Sequence, residues 1–233
     1  MDLPVWQALR SELRPQGLEI VTVALDARGA EAAGPWIDAA KPEHPSLIDA
    51  AHSLDALLGI TNVPMGVWID ENGTLVRPPE PAFAPRAVSF RDMKLPDDAP
   101  PRLKEMLAEA AKIRVEPDKY IAALRDWVAH GPESRYALSP GEVVHRSLPR
   151  PFEVSLAAAN FELGQHLHRS GEVDAARPFF REAHRLQPDN WTYKREAWSL
   201  VDPLQGPTEH YDGDWLSEIR KVGPENYYPK VEL

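Results

Sequence analysis

Residues 59–77 read Gly59-Ile60-Thr61-Asn62-Val63-Pro64-Met65-Gly66-Val67-Trp68-Ile69-Asp70-Glu71-Asn72-Gly73-Thr74-Leu75-Val76-Arg77, and this stretch decides the fold class. Asn72-Gly73 sits between two apolar runs, the strongest short-range hairpin signal, because both residues tolerate the positive φ of a tight turn. It predicts Met65–Ile69 and Thr74–Arg77 as antiparallel partners. Val63-Pro64 stands just before the first of these strands, where a residue without an N–H is tolerated.

Upstream, Leu18–Asp26 is a short β-branched apolar run, the pattern of a strand buried on both faces of a parallel sheet. Trp6–Leu13 before it has apolar residues at helical spacing and is stopped by Pro15 and Gly17. A helix over Ala30–Ala40, with Trp36 and Ile37 facing inward, an extended piece Pro45–Asp49 and a short helix Ser53–Leu58 complete this part.

Downstream the character changes. Seven prolines between Pro78 and Pro101 predict a linker or surface loop over 78–101. Leu103–Val115 and Asp118–Ala129 read as helices, with Pro117 near the first helical position of the second. Gly131–Pro151 reads as irregular, and helices resume from Glu153. Trp191–Leu200 reads as a further helix. The tail from Asp202 is aromatic but broken by Pro203, Pro207, Pro224 and Pro229, which predicts an extended wrap.

Composition narrows the function classes. The net charge of −10 disfavours nucleic-acid binding, which needs a basic face to displace counterions from phosphates. No apolar run is long enough to span a membrane, and no basic-then-apolar leader is visible, so the chain as it stands reads as cytoplasmic. With no cysteine, this chain offers no disulfide, no thiolate zinc ligand and no thiol nucleophile. His166 and His168 are two apart on a helix and face different ways, and no carboxylate spacing completes a metal site with His184. Asp26, Asp49 and Asp70 fall near strand ends, where an aspartate caps the following turn. No phosphate-cradling loop or catalytic triad order is present, so no cofactor is expected.

The order of these elements, strand, helix, strand, Val-Pro, strand, hairpin and strand, resembles the thioredoxin-like fold in its thiol-disulfide oxidoreductase and peroxiredoxin-related branch. Met1-Asp2-Leu3-Pro4 is similar to the segment after that family's Cys-x-x-Cys. Gly59-Ile60-Thr61-Asn62-Val63-Pro64 resembles its Gly-(Val/Ile)-x-x-(Val/Ile)-Pro, and Met65–Gly73 its following strand and turn. The resemblance covers Met1–Arg77. It implies a cis bond at Val63-Pro64, and a site at Val63, Pro64 and Met65 that holds an extended peptide by strand addition. The departure is equally specific: both redox cysteines and the first, central strand are missing. That strand would pair with Leu18–Asp26 on one side and Met65–Ile69 on the other. The resemblance therefore implies an N-terminally incomplete domain, with Met1 an internal methionine and the lost cysteine two residues before it. A sheet re-paired around the gap is the competing expectation.

Ala157–Asn190 resembles one tetratricopeptide repeat, a two-helix unit of 34 residues. Leu163-Gly164, Leu167, Gly171, Ala176, Phe180, Ala183 and Pro188 match its pattern, and Asn160 departs from the usual Trp. A single unit needs neighbours to cover it.

The expected architecture is α/β: a thioredoxin-like partial sheet over 1–77, a Pro-rich linker over 78–101, and an α-helical tetratricopeptide-like domain over 102–233. The expected function is a binding or assembly module with a protein or peptide partner and no catalytic residue. A thiol-disulfide oxidoreductase or peroxiredoxin-related enzyme with cysteines upstream of Met1 is the first alternative. A tetratricopeptide-type scaffold is the second.

Overall fold

The computed structural model describes residues 3–85, 90–147, 150–206 and 209–233. Asp2, part of the motif match above, lies outside them. The architecture is mixed α/β, with small sheets and ten α-helices among the described residues.

Helix α1 (Leu3–Leu13) buries Leu9 and Leu13 and ends at Gly17, whose φ of 101° suits only glycine. Strand β1 (Thr22–Leu25) is followed by α2 (Ala30–Ala40), β2 (Ser46–Asp49) and α3 (Ser53–Leu58). β1 and β2 pair in parallel, Thr22 with Ser46 through Leu25 with Asp49. The expectation of a strand buried on both faces fails here. With only two strands in the sheet, Val21 and Leu47 are each 52% exposed. Trp36 also lies outward, 62% exposed, because Ala33 and not Trp36 faces the core from α2.

Strand β3 (Met65–Ile69) pairs antiparallel with β4 (Leu75–Pro81). β4 runs further than expected, into the Pro-rich stretch. Gly66 pairs with Glu80 and Trp68 with Arg77, so Pro78 and Pro79 together oppose Val67. This bulge asks no ladder donation from the prolines.

Helices α4 (Pro101–Ala110) and α5 (Pro117–His130) follow, then α6 (Pro140–Arg146), in a stretch expected to be irregular. Its start carries a capping box: the Ser139 hydroxyl accepts from the Glu142 N–H, and the Glu142 carboxylate accepts from the Ser139 N–H. α7 (Phe152–Arg169) and α8 (Val173–Leu186) form a helical hairpin, with Gly171 at the turn. α9 (Trp191–Val201) and α10 (Trp215–Val222) complete the chain. α10 interrupts the expected extended wrap, and its start is also boxed, by Asp214 and Ser217.

Two cores organise these elements. The first joins Leu9 and Leu13 of α1, Trp68 of β3, and Tyr120, Ile121, Ala123 and Leu124 of α5. α5, expected with the helical part, thus contributes to the core of the sheet. The second joins Ala157, Phe161, Ala176, Phe180 and Ala183 of the hairpin to Tyr193 and Trp198 of α9 and Trp215 and Ile219 of α10. Phe161 stacks on Tyr193 with ring centres 4.2 Å apart. A Cβ on Gly164 would come within 2.9 Å of the Phe180 ring, so the hairpin helices close only because that residue has no side chain.

Candidate functional site

The loop entering β3 is held by the C-terminal half of the chain. Asn62 is buried; its Nδ2 donates to the Tyr227 carbonyl at 3.1 Å, and its Oδ1 accepts from the Val63 N–H at 2.8 Å. The Tyr228 hydroxyl donates to the Val63 carbonyl at 2.6 Å. The Thr61 carbonyl accepts from the Thr192 N–H at the start of α9. The Val63-Pro64 peptide is cis, and the Pro64 carbonyl accepts from Ala82. Of the three residues expected to hold a peptide, Val63 therefore has both backbone groups bonded inside the chain. The Tyr228 hydroxyl takes its carbonyl and the Asn62 side chain its N–H.

Met65 is placed differently. Backbone groups alternate in direction along a strand. Pro64 and Gly66 face β4, so those of Met65, Val67 and Ile69 face the other edge. The same reasoning for β1 turns Thr22 and Ala24 to β2 and leaves Val23 and Leu25 facing away. Among the described residues no strand pairs with either outer edge: the sheets are β1–β2 and β3–β4, not bonded to each other. The outer edge of β4, by contrast, is met by Leu138, whose N–H donates to the Val76 carbonyl.

The aspartates at strand ends cap turns. Asp26 accepts from the Arg28 N–H, Asp49 from those of Ala51 and Leu54, and Asp70 from those of Asn72 and Thr74. The two amides hold the Asp70 carboxyl below the usual carboxylate range, Thr74 contributing most. His184 is buried in the second core, and loss of solvent pushes its imidazole down to about 4. Among the described residues no group of three His, Cys, Asp or Glu is placed to hold a metal. Tyr211, Trp215 and Tyr227 are buried in the second core.

One polar cluster escaped the sequence reading. His52, at the start of α3 with φ of 56°, is buried between Asp55 of α3 and Glu196 of α9. Its Nδ1 lies 3.0 Å from Asp55 Oδ2, and its Nε2 lies 3.7 Å from Glu196 Oε2. Burial opposes a charge on the ring, but the hydrogen bond to Asp55 and the nearby Glu196 carboxylate outweigh it and push the imidazole up to about 9. Burial raises the Asp55 carboxyl, and the His52 ring pulls the other way. His-x-x-Asp at a helix start was a visible signal, whereas nothing in sequence ties Glu196 to it.

Two shallow surface depressions, beside Lys41 and His44 and beside Arg10 and Arg14, are not lined by Val63 or His52. No protein-family model matches the chain, and neither a curated protein nor a solved structure matches it. No described helix is long and apolar enough to cross a membrane.

Proposed function

We propose that this chain is a thioredoxin-like protein without catalytic cysteines that acts as a binding or assembly module. In this reading it takes one extended segment of a protein partner by strand addition along β1 and β3. The observation that carries the proposal is the divided sheet. Two short sheets each present an edge unpaired among the described residues, Val23 and Leu25 on one and Met65, Val67 and Ile69 on the other. Unpaired strand edges are templates for another strand. The half-exposed Val21 and Leu47 beside them supply apolar surface for such a strand to cover. The element order from α1 to β4 supports the thioredoxin-like reading, and the absence of cysteine leaves binding rather than thiol exchange.

Proline substitution at the edge tests this reading. Proline lacks the N–H that a new strand would use, yet edge positions tolerate it. Val23→Pro and Val67→Pro are expected to keep the helical circular dichroism of wild type and to lose the protein that wild type captures from its native source. Retention of that protein by both folded variants would refute strand addition.

A second reading, the helical half as a partner scaffold, draws on α7. Phe152, Leu156 and Leu163 lie on one face of that helix and are 74%, 36% and 41% exposed. If they carry partner binding, Phe152→Glu with Leu156→Glu abolishes capture while Val67→Pro does not.

A further inference from the structure

The His52 cluster lies where the two halves of the molecule meet. His52 and Asp55 belong to α3, Glu196 to α9, and the ring that packs edge-on against His52 is Phe161 of α7, 5.2 Å away. The Glu196 carboxylate also accepts from the Ala27 N–H just after β1, at 2.8 Å. Around this centre the Arg169 guanidinium of α7 donates to the Ala50 carbonyl, and the Thr192 N–H donates to Thr61. The contacts between α3 with its flanking loops and helices α7 and α9 thus converge on one imidazole.

We propose that His52, clamped between Asp55 and Glu196, is a pH-operated latch that holds α3 and the end of β1 against α7 and α9 while protonated and releases them in alkali. The side chains of all three residues are at least nine-tenths buried. His52 Nε2 and Asp55 Oδ1 have no hydrogen-bond partner within reach. A protonated ring places one positive charge between two carboxylates. Loss of its proton to hydroxide leaves the two buried carboxylates without the cation between them, a costly state.

The other charged groups nearby do not replace that cation. Asp49, at the end of β2, adds negative potential at Asp55. Tyr193 of α9 is influenced by Asp55, and burial pushes its hydroxyl well above the ordinary phenol range, so it stays neutral. Arg28 and Arg195 are cations that feel Glu196; the Arg28 guanidinium is committed to Asp26, and that of Arg195 donates to the Tyr227 hydroxyl. Phe161 brings no charge from α7, and the Arg169 guanidinium is bonded to a backbone carbonyl.

The sign follows from linkage. The folded-state imidazole titrates near 9, above its ordinary value of 6.5, so its contribution is complete below about 6.5 and is lost as pH rises through about 9. Each unit of that rise is a tenfold change, so the opening equilibrium of the joint grows by a factor on the order of 100 across the window.

Two measurements on the full chain test the latch. The first is the NMR titration of the His52 ring in wild type, with an expected midpoint near 9; a midpoint at or below 6.5 overturns the proposal. The second is amide exchange corrected for base catalysis, from pH 6.5 to 9.5. In wild type, protection in 53–58 and 191–196 is expected to fall about a hundredfold while 176–183 inside the hairpin holds. In His52→Gln the dependence is expected to vanish. An identical step in His52→Gln, or no step in wild type, contradicts the latch. If His52→Gln does not fold, Glu196→Gln serves in its place and must lower the His52 midpoint; an unchanged midpoint also contradicts it.

Discussion

Gly66 shows how much of the first core rests on one missing side chain. A Cβ there would lie 2.9 Å from the Ala82 Cβ and collide with the Tyr120 hydroxyl. Tyr120 cannot move away cheaply. It is buried, its oxygen accepts from Trp68 Nε1 at 2.9 Å, and Trp6 and Trp68 pack edge-on against its ring. Gly66→Ala is therefore expected to cost about 1–3 kcal/mol by overpacking, read as a lower urea midpoint with an unchanged slope. A midpoint equal to wild type would show that α5 does not seat against β3 as described. The strand containing Gly66 was legible from Asn72-Gly73 and the apolar runs. The need for glycine was not, because Tyr120 is more than fifty residues away and no local pattern announces that contact.

At the scale of elements, short-range chemistry set what could be read. The hairpin β3–β4, helix α2 and helix α3 each carry their own turn residue or apolar period. α6 and α10 were hidden by the prolines around them, although Ser139-x-x-Glu142 and Asp214-x-x-Ser217 are capping signals. In a helix of seven residues the cap is a large share of the local stability. Ser139→Ala is expected to cost about 0.5–2 kcal/mol and to raise exchange in 140–146 before any other segment. Uniform exchange across the chain in that variant would show that the cap is dispensable. Gly164→Ala in α7 is expected to push that helix away from Phe180 of α8, seen as a lower thermal midpoint. An unchanged midpoint would argue against the close approach. The extent of β4 was missed for a different reason. Proline argues against a strand in general, but a bulge opposite Val67 gives Pro78 and Pro79 a place where no donor is required.

Across the whole molecule, long-range ties fasten the C-terminal tail to the sheet. Arg77 is 2% exposed; it forms a two-pronged pair with Glu80, donates to the Tyr136 and Glu232 carbonyls, and lies over the Trp68 ring. Removing the guanidinium leaves the Glu80 carboxylate and both carbonyls without it. Arg77→Met is expected to cost about 3–5 kcal/mol, measured by chemical denaturation, and to free the tail for proteolysis near Val231. A cost under 1 kcal/mol would show that the tail is held elsewhere. The ties to Tyr136 and Glu232 were not legible, since they join residues 59 and 155 positions apart. The two sheets, β1–β2 and β3–β4, share no hydrogen bond among the described residues. The proposed role as a binding module depends on those edges being open. The most direct test is amide exchange at Val23 and Val67, first in the chain alone and then in complex with the protein it captures. Fast exchange is expected at both, against slow exchange at their inward neighbours Ala24 and Trp68, with at least tenfold slowing at both in the complex. Slow exchange at Val23 and Val67 in the free chain, or no change on binding, would contradict the proposed role.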